Sequence, residues 1–115
     1  MYTEFSELVE ELKTFYKDNF LGLIVFEVYE EDIIGMIIIL RERSPILIDD
    51  SLRALRFIKY YFPDAKSISA MSIDDLKEKV EKKEEGLLKF VKNIVYVYDA
   101  TGEINNLLKK ITEDE

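Results

Sequence analysis

Apolar positions along the chain switch between two periods, and the switches divide it into elements. Over residues 3–18, Phe5, Leu8, Val9, Leu12, Phe15 and Tyr16 recur at three- and four-residue spacing, while Glu7, Glu10, Glu11 and Lys13 fill the other side. That spacing predicts an amphipathic helix, with Thr3 suited to cap its start and Asn19 its end. The pattern then becomes strand-like. In residues 23–29, Ile24, Phe26 and Val28 share one face and Leu23, Val25, Glu27 and Tyr29 the other. Residues 33–40 are apolar on both faces, as in strands covered on two sides. Gly35 interrupts them and marks a bulge or a close backbone approach. Turns at Glu30-Glu31-Asp32, between the two strands, and at Arg43-Ser44-Pro45, after the second, divide this stretch, and residues 46–48 read as a short third strand.

A second helix is expected over 51–62, capped by Asp50 or Ser51 and stopped by Pro63-Asp64. Leu52, Leu55, Ile58 and Phe62 form its packing stripe, with Arg53, Arg56, Lys59 and Tyr60 projecting away. Residues 66–71 read as a strand. Ser72-Ile73-Asp74-Asp75 carries the Ser-x-x-Asp signature of a capping box and opens a third helix through Leu76 and Val80. Residues 77–85 are almost all charged and read as a solvated helix or connector. Residues 87–91 fit a helical turn or two. Residues 94–98, IVYVY, are β-branched or aromatic throughout and read as a strand. Asp99-Ala100-Thr101-Gly102 is a turn, and Ile104, Leu107, Leu108 and Ile111 line a last helix. The expected fold is a single α+β domain over residues 1–115. Its sheet has about five mainly antiparallel strands, with helices packed chiefly on one face.

Composition narrows the chemistry. The 115 residues are 48% hydrophobic and 35% charged, with no Cys, His or Trp. Disulfides, thiol nucleophiles, imidazole acid–base catalysis and zinc sites are therefore excluded within this chain. Ile-rich strands with Glu- and Lys-rich helices resemble hyperthermophile proteins. A formal charge of −8 disfavours nucleic acid as a partner. The acidic, helical start is unlike a secretory leader, and the longest apolar run is far too short for a membrane span. The expected location is the cytoplasm. No P-loop, EF-hand or glycine-rich phosphate loop occurs, so neither a cofactor nor a metal is expected.

Two resemblances bear on function. The order of helix, three-strand meander, helix and strand resembles the PD-(D/E)xK nuclease superfamily, in which two acids hold Mg²⁺ and a lysine assists the attacking water. Asp32 matches the first acid. The next strand reads Leu40-Arg41-Glu42-Arg43 or Ile48-Asp49-Asp50-Ser51, with no Lys two places after an acid. The resemblance thus implies a degenerate relative. Residues 5–80 are also similar to small archaeal PATAN-like domains, through Gly22, Gly35 and the Asp49-Asp50 turn. That resemblance implies a signalling-associated binding module without catalysis.

Charge supplies the candidate site. All four arginines, Arg41, Arg43, Arg53 and Arg56, lie within 16 residues. The segment 41–61 carries a net +2, against −10 for the rest of the chain. Arg offers planar, bidentate recognition of carboxylates and phosphates. As plain surface, the same arginines would pair with Glu42, Asp49 and Asp50. Tyr29, Tyr60, Tyr61, Tyr96 and Tyr98 either form an adhesive surface or sit at core margins. The expectation is a non-enzymatic protein–protein interaction or regulatory module that self-associates, with Arg41, Arg43, Arg53, Arg56 and Tyr60 as its contact patch. A small anionic, nucleotide-like ligand on the Arg island is the alternative. A Mg²⁺-dependent enzyme would instead need Asp32, Glu42 and Asp49 or Asp50 in one cleft.

Overall fold

The computed structural model describes residues 2–28, 33–43, 49–84, 86 and 91–113. Helix α1 (Tyr2–Tyr16) runs through a 3₁₀ turn (Lys17–Asn19) into strand β1 (Phe20–Val28), followed by β2 (Ile33–Leu40). Helix α2 (Asp49–Tyr61), β3 (Ser67–Ser72), α3 (Ile73–Glu81), β4 (Ile94–Asp99) and α4 (Glu103–Glu113) complete the order. The chain is α+β. The described strands form one four-stranded sheet in the order β3-β2-β1-β4.

The sheet is mixed: mainly antiparallel, as expected, but with one parallel pairing. β1 is antiparallel to both β2 and β4, while β2 and β3 are parallel. Residues 46–48, read as a short third strand, lie outside the described residues, as do Tyr29, the Glu30-Glu31-Asp32 turn and residues 87–90.

Helices cover both faces, not chiefly one. Phe5, Leu8 and Leu12 of α1 and Ala54, Ile58 and Phe62 from the α2 region pack with Leu23, Val25, Met36 and Ile38 of the sheet. On the opposite face, Leu76 and Val80 of α3 and Ile104, Leu107, Leu108 and Ile111 of α4 pack with Ile24, Phe26, Ile37 and Ile39. Topology explains this. β2, β3 and β4 all run in one direction, so β2-α2-β3 and β3-α3-β4 are both parallel crossovers. The first steps to one edge of the sheet and the second steps back to the other. Crossovers of one hand that step in opposite directions must pass over opposite faces. α2 and α3 do so.

Local signals hold up well in α3 and α4. Asp75 N–H donates to Ser72 Oγ at 3.0 Å and Ser72 N–H to Asp75 Oδ2 at 3.4 Å, closing the expected capping box. The apolar stripe of α4 is buried as read. Thr3 lies inside α1 and does not cap it. In α2 the stripe is displaced: Ala54, Ile58 and Phe62 are buried, whereas Leu52 is 53% exposed. Gly35 is a close approach and not a bulge. It pairs regularly with Phe26, and a Cβ there would strike the Phe26 ring. The irregularities fall at Phe20–Gly22 and between Val25 and Phe26.

Candidate functional site

Helix α2 forms because a run of good helix formers leaves one face to the core. Opposite that face, Leu52, Arg56 and Tyr60 recur at four-residue steps and share one outward stripe. Leu52 and Tyr60, the latter 81% exposed, are the large hydrophobic side chains left open to solvent among the described residues. The Tyr60 ring meets Tyr61 edge-on at 5.1 Å, which steadies it at the surface.

Beside α2 lies α1, joined to it by aromatic contacts. Phe15 meets Phe57 at 5.2 Å, and Phe5 stacks on Phe62 at 4.8 Å and meets Tyr96 at 5.0 Å. The outward residues of α1 include Glu4, Glu7, Glu10 and Glu11. The acids reach across the helix pair: Tyr61 is held above its ordinary pKa by partial burial, then by Glu11 and Glu7. The outer surface of this layer therefore sets an acidic helix beside one bearing Leu52, Arg56 and Tyr60.

The Arg island does not stay together. Arg56 and Tyr60 share the α2 stripe. Arg53 lies on the same helix, but its side chain is outside the described set. Arg41 follows β2; its backbone N–H donates to Asn19 C=O at 2.8 Å and its Nε to Asp18 C=O at 3.4 Å. Arg43 turns the other way, and its Nη1 donates to Ala70 C=O on the β3 edge at 2.9 Å. These two arginines line different concavities, Arg43 one of about 430 Å³ and Arg41 one of about 670 Å³. Arg41 and Arg43 therefore do not converge on one concavity.

Several residues do work that their types alone did not reveal. Asn19 accepts from Glu42 N–H at 2.8 Å and donates to Glu42 C=O at 2.9 Å, clamping the ends of β1 and β2 together. Lys59 projects away from the core as expected, and its ammonium donates to Pro63 C=O at 3.3 Å and to Ala65 C=O, pinning the turn after α2. Asp99 accepts from Gly102 N–H at 3.0 Å and from Asn105 N–H at 2.8 Å, organising the start of α4. Tyr96 and Tyr98 sit at the core margin, half-buried.

For the nuclease-like resemblance, Asp32 and the side chains of Asp49 and Asp50 fall outside the described set, and Glu42 is exposed. Among the described residues no three acidic side chains gather as a metal site would need. No helix among them is long and apolar enough to cross a membrane.

No family model and no curated protein matches the chain. One solved structure aligns with it, the solution NMR structure of NF4, a de novo designed protein with a novel fold. The alignment covers 95% of this chain and 88% of that one at 23% identity, with a TM-score of 0.36. A likeness this slight carries no functional argument.

Proposed function

We propose that the chain is a non-enzymatic interaction module that associates with a second copy of itself through the outer surface of the α1/α2 layer. The observation that carries this reading is the pair Leu52 and Tyr60, exposed on α2 on either side of Arg56. Tyr and Arg are the residue types that most often anchor interfaces, and exposed aromatic area favours burial against a partner. Charge selects the occupant. A two-fold axis over this layer lays α2 of each copy on the acidic α1 of the other, so Arg56 faces Glu7 and Glu11. The PATAN-like resemblance, which implies a binding module, agrees in kind. The module works in the cytoplasm, a reading supported by a chain with no cysteine.

Light scattering on the protein eluting from a sizing column tests the proposal. At about 0.05 M NaCl the mass is expected to reach twice that of the monomer, and to fall toward the monomer at about 0.5 M as screening weakens the helix-to-helix attraction. A protein that stays monomeric at both, up to millimolar concentration, would falsify the reading.

A further inference from the structure

A second site is built where β2 and β4 end and β1 begins. The helices that follow β2 and β4 leave for opposite faces of the sheet, α2 to one and α4 to the other. Between the carboxyl ends of β2 and β4, at the start of the antiparallel β1, the surface is recessed. The recess is a concavity of about 670 Å³ lined by Lys13, Lys17, Asp18, Arg41, Tyr98 and Thr101 among others. We propose that this concavity binds a compact phosphate-class oxyanion, such as a phosphomonoester or pyrophosphate.

Charge is the first argument. Lys17 and Arg41 meet one carboxylate, Asp18, along the lining, while the third cation, Lys13, is ion-paired with Glu10 at 3.3 Å. The C-terminal end of α1 points into the same region, but its dipole is equivalent to only about half a negative charge. Lys17 and Arg41 outweigh Asp18 and that half charge, in a protein whose net charge is −8.

Geometry is the second. Arg41 is anchored through Nε on the Asp18 carbonyl, and among the described residues its terminal amino groups have no partner. A guanidinium fixed on one side and open on the other suits a bidentate oxyanion. The Lys17 ammonium also has no partner among the described residues. Lys13 is committed elsewhere: hydrogen bonding to Tyr98 and then to Glu10, its ion-pair partner at 3.3 Å, raises its pKa. The Tyr98 ring is stacked on Phe20 at 5.7 Å and lies 4.8 Å beneath the Lys13 ammonium, so recognition falls to the charged groups.

Two-dimensional NMR, with inorganic phosphate and then pyrophosphate titrated at ionic strength fixed with NaCl, tests the assignment. Saturable shifts are expected at the amides of Lys17, Arg41 and Thr101. Arg41→Ala and Lys17→Gly should each weaken binding about tenfold or more. Lys17→Gly should melt no lower than the wild type, because glycine relieves the left-handed backbone there, at φ +57°. Lys110→Ala removes the same charge on the opposite layer and should leave binding unchanged. Flotation with phosphatidic acid vesicles separates a lipid-borne phosphomonoester, if the vesicles are bound and free pyrophosphate displaces them, from a soluble one, if they are not bound. Linear, non-saturating shifts, or a Lys110→Ala effect equal to that of Arg41→Ala, overturn the proposal. Neither result bears on self-association, which rests on α2.

Discussion

The two helical layers of this protein are finished differently toward water. The outer surface of α3 and α4 is covered by paired charges: Lys82 with Glu78 at 2.6 Å, Lys79 with Glu84 at 3.2 Å and Lys77 with Glu103 at 3.4 Å. Beneath them the core is aliphatic, apart from Phe26, and no large hydrophobic side chain of α3 or α4 among the described residues is exposed. The α1/α2 layer buries stacked aromatics but leaves Leu52 and Tyr60 outside, with acids on one helix and Arg56 on the other. Both layers stabilise the fold by burial. Only the second retains apolar surface and unlike charge set side by side. A layer that needs only solubility is expected to look like α3/α4, and this contrast is why we propose α1/α2 as the contact face.

The largest test of this contrast lies in the cores. Phe5→Ala removes a ring that meets both Phe62 and Tyr96, and should cost about 3–5 kcal/mol. Ile104→Ala in the other layer should cost about 2–5 kcal/mol, with less aromatic contact to lose. Urea denaturation measures both, and a greater loss for Ile104→Ala would contradict the view that aromatic packing makes α1/α2 the heavier layer. Ser72→Ala opens the capping box of α3 and should cost about 1 kcal/mol, readable in the same titration. The Lys77–Glu103 pair, half-exposed on both sides, should give a coupling below about 1 kcal/mol in a double-mutant cycle. A larger value would make the charged layer structural and not merely solvating. Smallest of all, Tyr60→Ala should change monomer stability by less than about 0.5 kcal/mol, since its ring is exposed. It should nevertheless abolish association.

Much of the fold was legible in the chain, for local reasons. α1 and α4 each carry one unambiguous apolar stripe, and Ser72 with Asp75 states where α3 begins. α2 misled because Leu52, Ala54, Leu55, Phe57, Ile58 and Tyr60 leave apolar residues on nearly every side. Several stripes fit such a helix, and only packing against α1 and the sheet decides among them. The two-sided apolar pattern of β1 and β2 did announce helices on both faces. Expecting an antiparallel sheet hid that, because only parallel crossovers require it. The Arg island shows a different limit. Arg41 and Arg43 follow a bend at the end of β2, so nearness in sequence sends them to opposite concavities. The Lys13–Lys17–Arg41 cluster comes from segments more than 20 residues apart, and no local pattern brings them together.

The central claim, that α2 of one copy rests on α1 of another, is tested most directly by exchanging charges and mixing. Arg56→Glu alone and the double variant Glu7→Arg/Glu11→Arg should each be monomeric by sedimentation equilibrium. Mixed at equal concentration, Arg56→Glu meets the reversed charges of its partner and a heterodimer should form. If each variant dimerises alone as the wild type does, or the mixture stays monomeric while the wild type is dimeric, the α1/α2 surface is not the interface.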